Sequence, residues 1–307
     1  MSNLKRVPLA IAVVTLFAAC SGSGAAGGPS GSEATGVGRS PGPSPTASAP
    51  DLGAIDHATG ASDIVLRYDQ GGGFVAPSFT ASQAPIFTLY GDGTIVFRNQ
   101  TLEWPPAQGS VTRQNPLRTA KLSEEQVQDL LEYALGEGNL GIARAQYDNN
   151  LIADASTGTF TINAGGLKKA VAVYALGMEA MPGVPDQAAR AAFARLAERL
   201  GDLDRGGTIA TDVYSPAAYR GILMDGTGMV VPDVRAWPWK DIKPADFVGP
   251  ADPNAFQMAT RTLTPDEVAG LGVDGPEGGF GGMILSGPSD GKLYSLAVRP
   301  LLPDETQ

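Results

Sequence analysis

Among 307 residues there is one cysteine, Cys20, and one histidine, His57. That scarcity removes whole classes of chemistry. A disulfide scaffold or a dithiol redox site needs two cysteines, and a cysteine-rich or multi-histidine metal site needs more ligands than the chain has. A Ser-His-Asp hydrolase would have to use His57. That residue follows Asp51-Leu52-Gly53-Ala54-Ile55-Asp56, which reads as a loop, so it is expected to be solvent-exposed and inert.

Positive charge is also thin. The chain has 22 Lys and Arg against 32 Asp and Glu, a net charge of -10. Phosphate backbones are held by clustered Lys and Arg, so nucleic acid is not an expected partner. The acidity suits solubility and weak cation association. Arginine outnumbers lysine 15 to 7, and Ala, Gly and Pro are abundant, a bias typical of high-GC bacterial genomes. The apolar run Val7 to Phe17 falls short of the roughly 20 residues a membrane-spanning helix needs. No later run is long enough either. Gly71-Gly72-Gly73 lacks the Gly-Lys-Ser/Thr that completes a phosphate loop, so it is expected to be a turn.

What is present begins at the N-terminus. Lys5 and Arg6 precede the apolar run, and Ala18-Ala19 precede Cys20. Residues 1–19 read as a lipoprotein signal peptide, and Cys20 as the residue that receives a thioether-linked diacylglycerol. Phe17 stands where such sites usually carry Leu, Val or Ile, with Leu16 one position earlier. Each buried methylene contributes about 0.8 kcal/mol, so one acyl chain holds marginally and two hold stably. The expected address is therefore the extracytoplasmic face of the cell membrane, reached by a lipid anchor. Residues 20–55 are rich in Gly, Ser and Pro and form a tether, too poor in large apolar residues to offset its ordering entropy.

The remainder reads as an α+β fold, with antiparallel hairpins packed with two or three helices and divided into units at 56–204 and 205–307. Ile64 to Tyr68 is a strand. Ile86 to Tyr90 and Thr94 to Arg98 flank Gly91-Asp92-Gly93 as a hairpin, with Phe87, Leu89, Ile95 and Phe97 as core. Leu122-Ser123-Glu124-Glu125-Gln126-Val127 is a capping box with a hydrophobic staple. Val127, Leu130, Leu131 and Leu135 then share one helical face. A second hairpin spans Thr157 to Asn163 and Lys168 to Tyr174. A second helix spans Pro185 to Leu200, striped by Ala189, Ala192, Phe193, Leu196 and Leu200.

Devices then recur. Asp225-Gly226-Thr227 repeats Asp92-Gly93-Thr94, and Trp237-Pro238 repeats Trp104-Pro105, both at an offset of 133 residues. Leu263-Thr264-Pro265-Asp266-Glu267-Val268 repeats the capped start, and Gly282 to Leu285 with Leu293 to Val298 forms a last hairpin around Ser289-Asp290-Gly291. Two similar hairpin–helix–hairpin halves are one expectation; one continuous sheet reusing common devices is the other.

Several of these stretches resemble sequences known elsewhere: Asp63 to Arg67 with the Gly71–Phe74 break, Phe87-Thr88-Leu89-Tyr90-Gly91-Asp92-Gly93-Thr94, Tyr174-Ala175-Leu176-Gly177 and Arg299-Pro300-Leu301-Leu302-Pro303. The chain is similar to a family of secreted and lipoprotein sequences frequent in actinobacteria and related high-GC bacteria. The resemblance covers most of residues 63–303 and implies no activity and no catalytic residue.

Candidate ligand sites are few. Tyr147-Asp148-Asn149-Asn150 and Asp154 gather oxygen atoms as a calcium site would, but Asn/Asp runs usually make Asx-turns. Trp104, Trp237 and Trp239 adjoin prolines and offer a sugar- or peptide-binding platform, or else cap a core edge. No catalytic, cofactor-binding or metal-binding residue stands out. The leading expectation is a non-enzymatic binding or interaction module of the cell envelope, its partner an envelope protein or glycan. One alternative is a carboxylate-based hydrolase of envelope polysaccharide, which needs two acids about 5–10 Å apart in one cleft. The other is a structural or assembly factor that pairs through its sheet edges.

Overall fold

The computed structural model describes residues 53–205, 207–226, 228, 233–249, 258–289 and 291–306. The signal peptide, Cys20, most of the tether, Thr227 and Asp290 lie outside them. In chain order the elements begin β1 (Ile64–Gly71), α1 (Pro77–Ser82), β2 (Phe87–Tyr90), β3 (Thr94–Phe97), β4 (Thr112–Arg113) and β5 (Arg118–Lys121). Next come α2 (Glu124–Leu135), β6 (Gln146–Tyr147), β7 (Thr157–Ala164), β8 (Leu167–Tyr174), α3 (Gln187–Gly201) and β9 (Asp212–Val213). The chain closes with β10 (Tyr219–Asp225), β11 (Val234–Ala236), β12 (Ala259–Leu263), α4 (Pro265–Ala269), β13 (Phe280–Ser286) and β14 (Leu293–Pro300).

These elements make an α+β fold with two largely antiparallel sheets. The larger has the order β6-β8-β7-β1-β2-β3-β5-β9, and the smaller β11-β13-β14-β10-β12 with β4 joined to β13. The two sheets follow segments 56–204 and 205–307, except that each segment lends one strand, β4 or β9, to the other's sheet. Residues 51–307 make one compact unit.

Local chemistry explains the elements of the first sheet. Between β2 and β3, the Asp92 carboxylate accepts from the Thr94 backbone N–H at 2.9 Å, and Gly93 takes φ 84°. A Cβ on Gly93 would come within 2.7 Å of the Leu122 carbonyl, so only glycine fits there. Phe87, Leu89, Ile95 and Phe97 are fully buried against α2 and α3, as the alternation predicts. β7 and β8 are joined by Gly165-Gly166 with φ 59° and 74°, the backbone a two-residue hairpin turn demands. The α2 box closes in both directions, Ser123 N–H to Gln126 at 2.9 Å and Gln126 N–H to Ser123 at 3.3 Å.

The opposite face of the first sheet carries Tyr90 and Val96. They pack with Ala84, Leu117 and Leu302 into a small cluster that joins β2 and β3 to the C-terminal tail. α1 leaves the first sheet after β1 but packs on β10, β13 and β14 of the second. A seam between the sheets is thereby built from α1, the tail and the inward faces of β1 and β14.

Three expectations change. Among the described residues there are four α-helices rather than two or three, since α1 gives no periodic signal in its six residues. β10, which ends at Asp225, does not pair with the next strand, β11, as β2 pairs with β3 across Asp92. β10 pairs with β12 and β14, β11 pairs in parallel with β13, and Gly226 N–H donates to the Leu293 carbonyl at 2.8 Å. The two sheets accordingly differ in strand order. His57 is not solvent-exposed: its side chain is 5% accessible, with Nδ1 2.7 Å from the Ala58 carbonyl and Nε2 3.2 Å from Glu124. Its backbone bridges Ala164, and the neighbouring Ile55 is gripped from both sides by the Gln128 amide, so the segment is stitched to β7 and α2. Asp186, at the N-cap position of α3, makes no side-chain capping bond. It adopts φ 55° and its carboxylate pairs instead with Arg144 at 2.6 Å.

Candidate functional site

The three tryptophans separate into two roles. Trp237 and Trp239 meet edge to face with ring centroids 5.3 Å apart and pack on the core of the second sheet. Their indole N–H groups donate to the carbonyls of Ile242 and Glu267 at 2.6 and 2.9 Å. Both therefore cap a core edge. Trp104 is 50% exposed, and its indole N–H has no protein partner among the described residues.

Beside Trp104 stands Phe79 of α1, 44% exposed. Pro77 starts this helix, and the Ser82 hydroxyl closes it by donating to the Phe79 carbonyl at 2.8 Å. Trp104 and Phe79 together border two adjoining cavities of about 160 and 240 Å³. Exposed Phe74, Val75 and Leu102 lie close by in sequence.

The first cavity is floored by the inward face of β14, through Ser295 and Ala297, and by Gln114 and Gly281-Gly282. β4 brings Gln114 there by pairing with β13, and the Gln114 N–H donates to the Gly279 carbonyl at 3.0 Å. Gln114 is only 4% exposed, yet its side-chain amide makes no hydrogen bond among the described residues, where the fully buried Oε1 finds no partner. Ser295 is 7% exposed, and its hydroxyl makes no hydrogen bond among the described residues either. Gly282, at φ 76°, lies where a Cβ would approach the Ser110 carbonyl to 2.7 Å.

Comparison of the chain with family models, curated proteins and solved structures finds no match. The site's own chemistry is therefore what bears on function.

The second cavity is bordered by one ionisable residue, Arg98. That guanidinium is buried and faces no carboxylate; it donates to the carbonyls of Asn115 and Gly278 at 2.7 and 2.9 Å. Burial pushes its pKa down to about 10. It ties the loop before β5 to the loop before β13 and has little left to offer a ligand.

Farther along the inward face of β14 the seam becomes charged. Arg299 donates to both carboxylate oxygens of Glu305, at 2.8 and 2.5 Å. Asp304 accepts from Arg67 at 2.7 Å and from the Tyr90 hydroxyl at 2.6 Å. Burial alone would raise the Glu305 pKa, but Arg299, the Leu302 N–H and Arg220 outweigh it and hold it below the usual range. Burial drives the Asp69 carboxyl upward; Arg67 and Arg299 oppose the rise, while Glu305 and Asp304 add to it. Burial and the bond to Asp304 raise the Tyr90 phenol. The cluster clamps the tail and lines neither cavity.

The other candidates resolve into structural roles. Asn149 Oδ1 accepts from the Leu151 N–H at 3.1 Å, an Asx-turn. The Tyr147 and Asp148 carbonyls accept from the buried Arg190 guanidinium at 2.9 and 2.7 Å, which sets a fixed positive charge beside the run. Among the described residues no three Asp, Glu, His or Cys side chains gather as a metal site. Glu198 and Asp202 line a shallow depression, but Arg205 ion-pairs with both, at 3.8 and 2.6 Å. Arg190 and Gln114 escaped sequence reading. The one available signal was an arginine at 190 inside the apolar stripe of α3.

Proposed function

We propose that the protein is an envelope lipoprotein, anchored through Cys20 and held off the membrane by residues 20–55, whose folded part is a non-enzymatic binding module. Its ligand site is the groove between Trp104 and Phe79. One observation carries this reading: two half-exposed aromatic rings stand over a floor where the Gln114 amide and the Ser295 hydroxyl have no partner among the described residues. Ligand sites combine apolar walls with a few convergent polar groups in this way. No acidic residue borders either cavity, which favours binding over carboxylate hydrolysis there. Three outer strands, β6, β9 and β11, have two or three residues, and β12 is met by a Val248–Thr260 bridge. Such short edges are poor templates for pairing with another protein. Common descent of the two segments rests on β5–α2 and β12–α4, where each strand runs directly into a Ser- or Thr-capped helix.

Two measurements test the proposal. Membrane fractionation of Cys20→Ala should move the protein into the soluble fraction; unchanged membrane retention refutes the anchor. The soluble Cys20→Ala chain should co-sediment with isolated envelope material, and Trp104→Ala should abolish most of that binding. Equal co-sedimentation by both refutes the site.

A further inference from the structure

We infer that the groove takes a neutral carbohydrate, with one sugar ring stacked on the Trp104 indole and its hydroxyls bonded to the Gln114 amide and the Ser295 hydroxyl. The inference rests on the binding reading above and names its ligand class.

Charge decides first. None of the residues around the first cavity is ionisable, in a chain with 54 charged side chains. Around the second only Arg98 is, and its donors reach two carbonyls. A phosphate, a uronate or an acidic peptide would be desolvated there without a counter-charge, against a net charge of -10 that already repels anions. A cation would find no carboxylate.

Polarity decides next. A purely apolar ligand would seal the Gln114 amide and the Ser295 hydroxyl away from water without partners, the costly side of the hydrogen-bond balance. The ligand must therefore be neutral, donate and accept hydrogen bonds, and present an apolar face to Trp104 and Phe79. A pyranose has C–H groups on one face and hydroxyls around its rim, and so satisfies all three. An extended peptide is also neutral, but it binds chiefly by adding to a free strand edge. β13 beside the cavity has none free: it is paired with β14 on one side and with β11 and β4 on the other. The two cavities, each under the roughly 300–1,000 Å³ of small-molecule sites, reach that range when taken together across Trp104 and Phe79. That size suits two or three adjoining sugar units.

The test uses the full chain carrying Cys20→Ala, labelled with 5-fluorotryptophan. The probes are neutral gluco-, manno-, galacto- and arabino-oligosaccharides, with oligogalacturonate as the charged control. Trp104 is assigned by Trp104→Phe. At least one neutral saccharide should shift the Trp104 fluorine resonance saturably while those of Trp237 and Trp239 stay in place, and oligogalacturonate should shift none. Trp104→Ala and, separately, Gln114→Ala should each weaken binding about tenfold or more with unchanged circular dichroism. Pelleting with the corresponding insoluble polysaccharide then tells whether the polymer or only the free oligosaccharide is held. If no neutral saccharide moves the Trp104 resonance while envelope binding still depends on Trp104, the carbohydrate inference fails and the binding module stands. If envelope binding is independent of Trp104 as well, both fail.

Discussion

Asp304→Ala should destabilise the fold by unpinning the C-terminal tail. In the native seam one Asp304 oxygen accepts from both Arg67, at 2.7 Å, and Tyr90, at 2.6 Å. The Arg67 and Asp304 side chains retain 15% and 16% of their exposure, so the pair is nearly but not wholly shielded. Removing one partner of a buried pair costs about 3–5 kcal/mol, because the survivor stays buried and unpaired. Arg67 keeps its Nε bond to Thr88 at 3.1 Å, and residual exposure admits some water, which places the loss near the lower end, about 3 kcal/mol. At about 2–4 °C per kcal/mol for a domain of this size, the melting temperature should fall by about 6–12 °C. Urea titration followed by far-ultraviolet circular dichroism should show a lower midpoint at unchanged slope. Asp304→Asn, which keeps an acceptor, should lose about 1 kcal/mol. In the double variant with Tyr90→Phe the two losses should be less than additive, because the partners share one oxygen. A loss below about 1 kcal/mol for Asp304→Ala would refute the clamp.

Glu305 has a lowered folded pKa, so its stabilisation is present above the unfolded value of about 4.5 and is lost as pH falls through the folded value. Glu305→Gln should be less stable than wild type at pH 7, with the gap closing in acid. Asp69 has the opposite sign: its raised folded pKa means that ionisation opposes folding. Asp69→Asn should therefore be more stable at pH 7, and the gain should shrink as pH falls below that raised value and vanish below the unfolded value of 3.8. Gly282→Ala forces a Cβ toward the Ser110 carbonyl at positive φ and should cost about 1–3 kcal/mol in chemical denaturation. Arg190→Met fills the space of the buried guanidinium but strands the Tyr147, Asp148 and Tyr174 carbonyls, an expected loss of about 3 kcal/mol or more by the same titration.

The elements legible in the sequence are those whose cause is local. Ser123 with Gln126 and Thr264 with Glu267 announce their helices because the bonds lie within one turn. Gly165-Gly166 announces its hairpin because only two residues must turn. What was hidden depends on distant partners. Gln114 reads as a loop residue until β4 is seen to pair with β13 more than 160 residues later. Arg67 lies in a legible strand, but its partner Asp304 is 237 residues away on the tail that folds back against it. Asp225-Gly226 misled for the same reason: the dipeptide is a competent turn, but β10 is already flanked by β12 and β14, so the chain cannot return along it. The groove was half legible. Three tryptophans were visible, and only tertiary packing separates Trp104 from the two that cap the core.

The most direct test of the account is acrylamide quenching of tryptophan fluorescence in the full Cys20→Ala chain, with and without isolated envelope material. Trp104 is half-exposed while Trp237 and Trp239 are partly buried against the core, so one strongly quenchable population should dominate in the free protein. The account predicts that this population becomes shielded as the protein binds envelope material. Undiminished quenching of Trp104 in protein that has bound would contradict it.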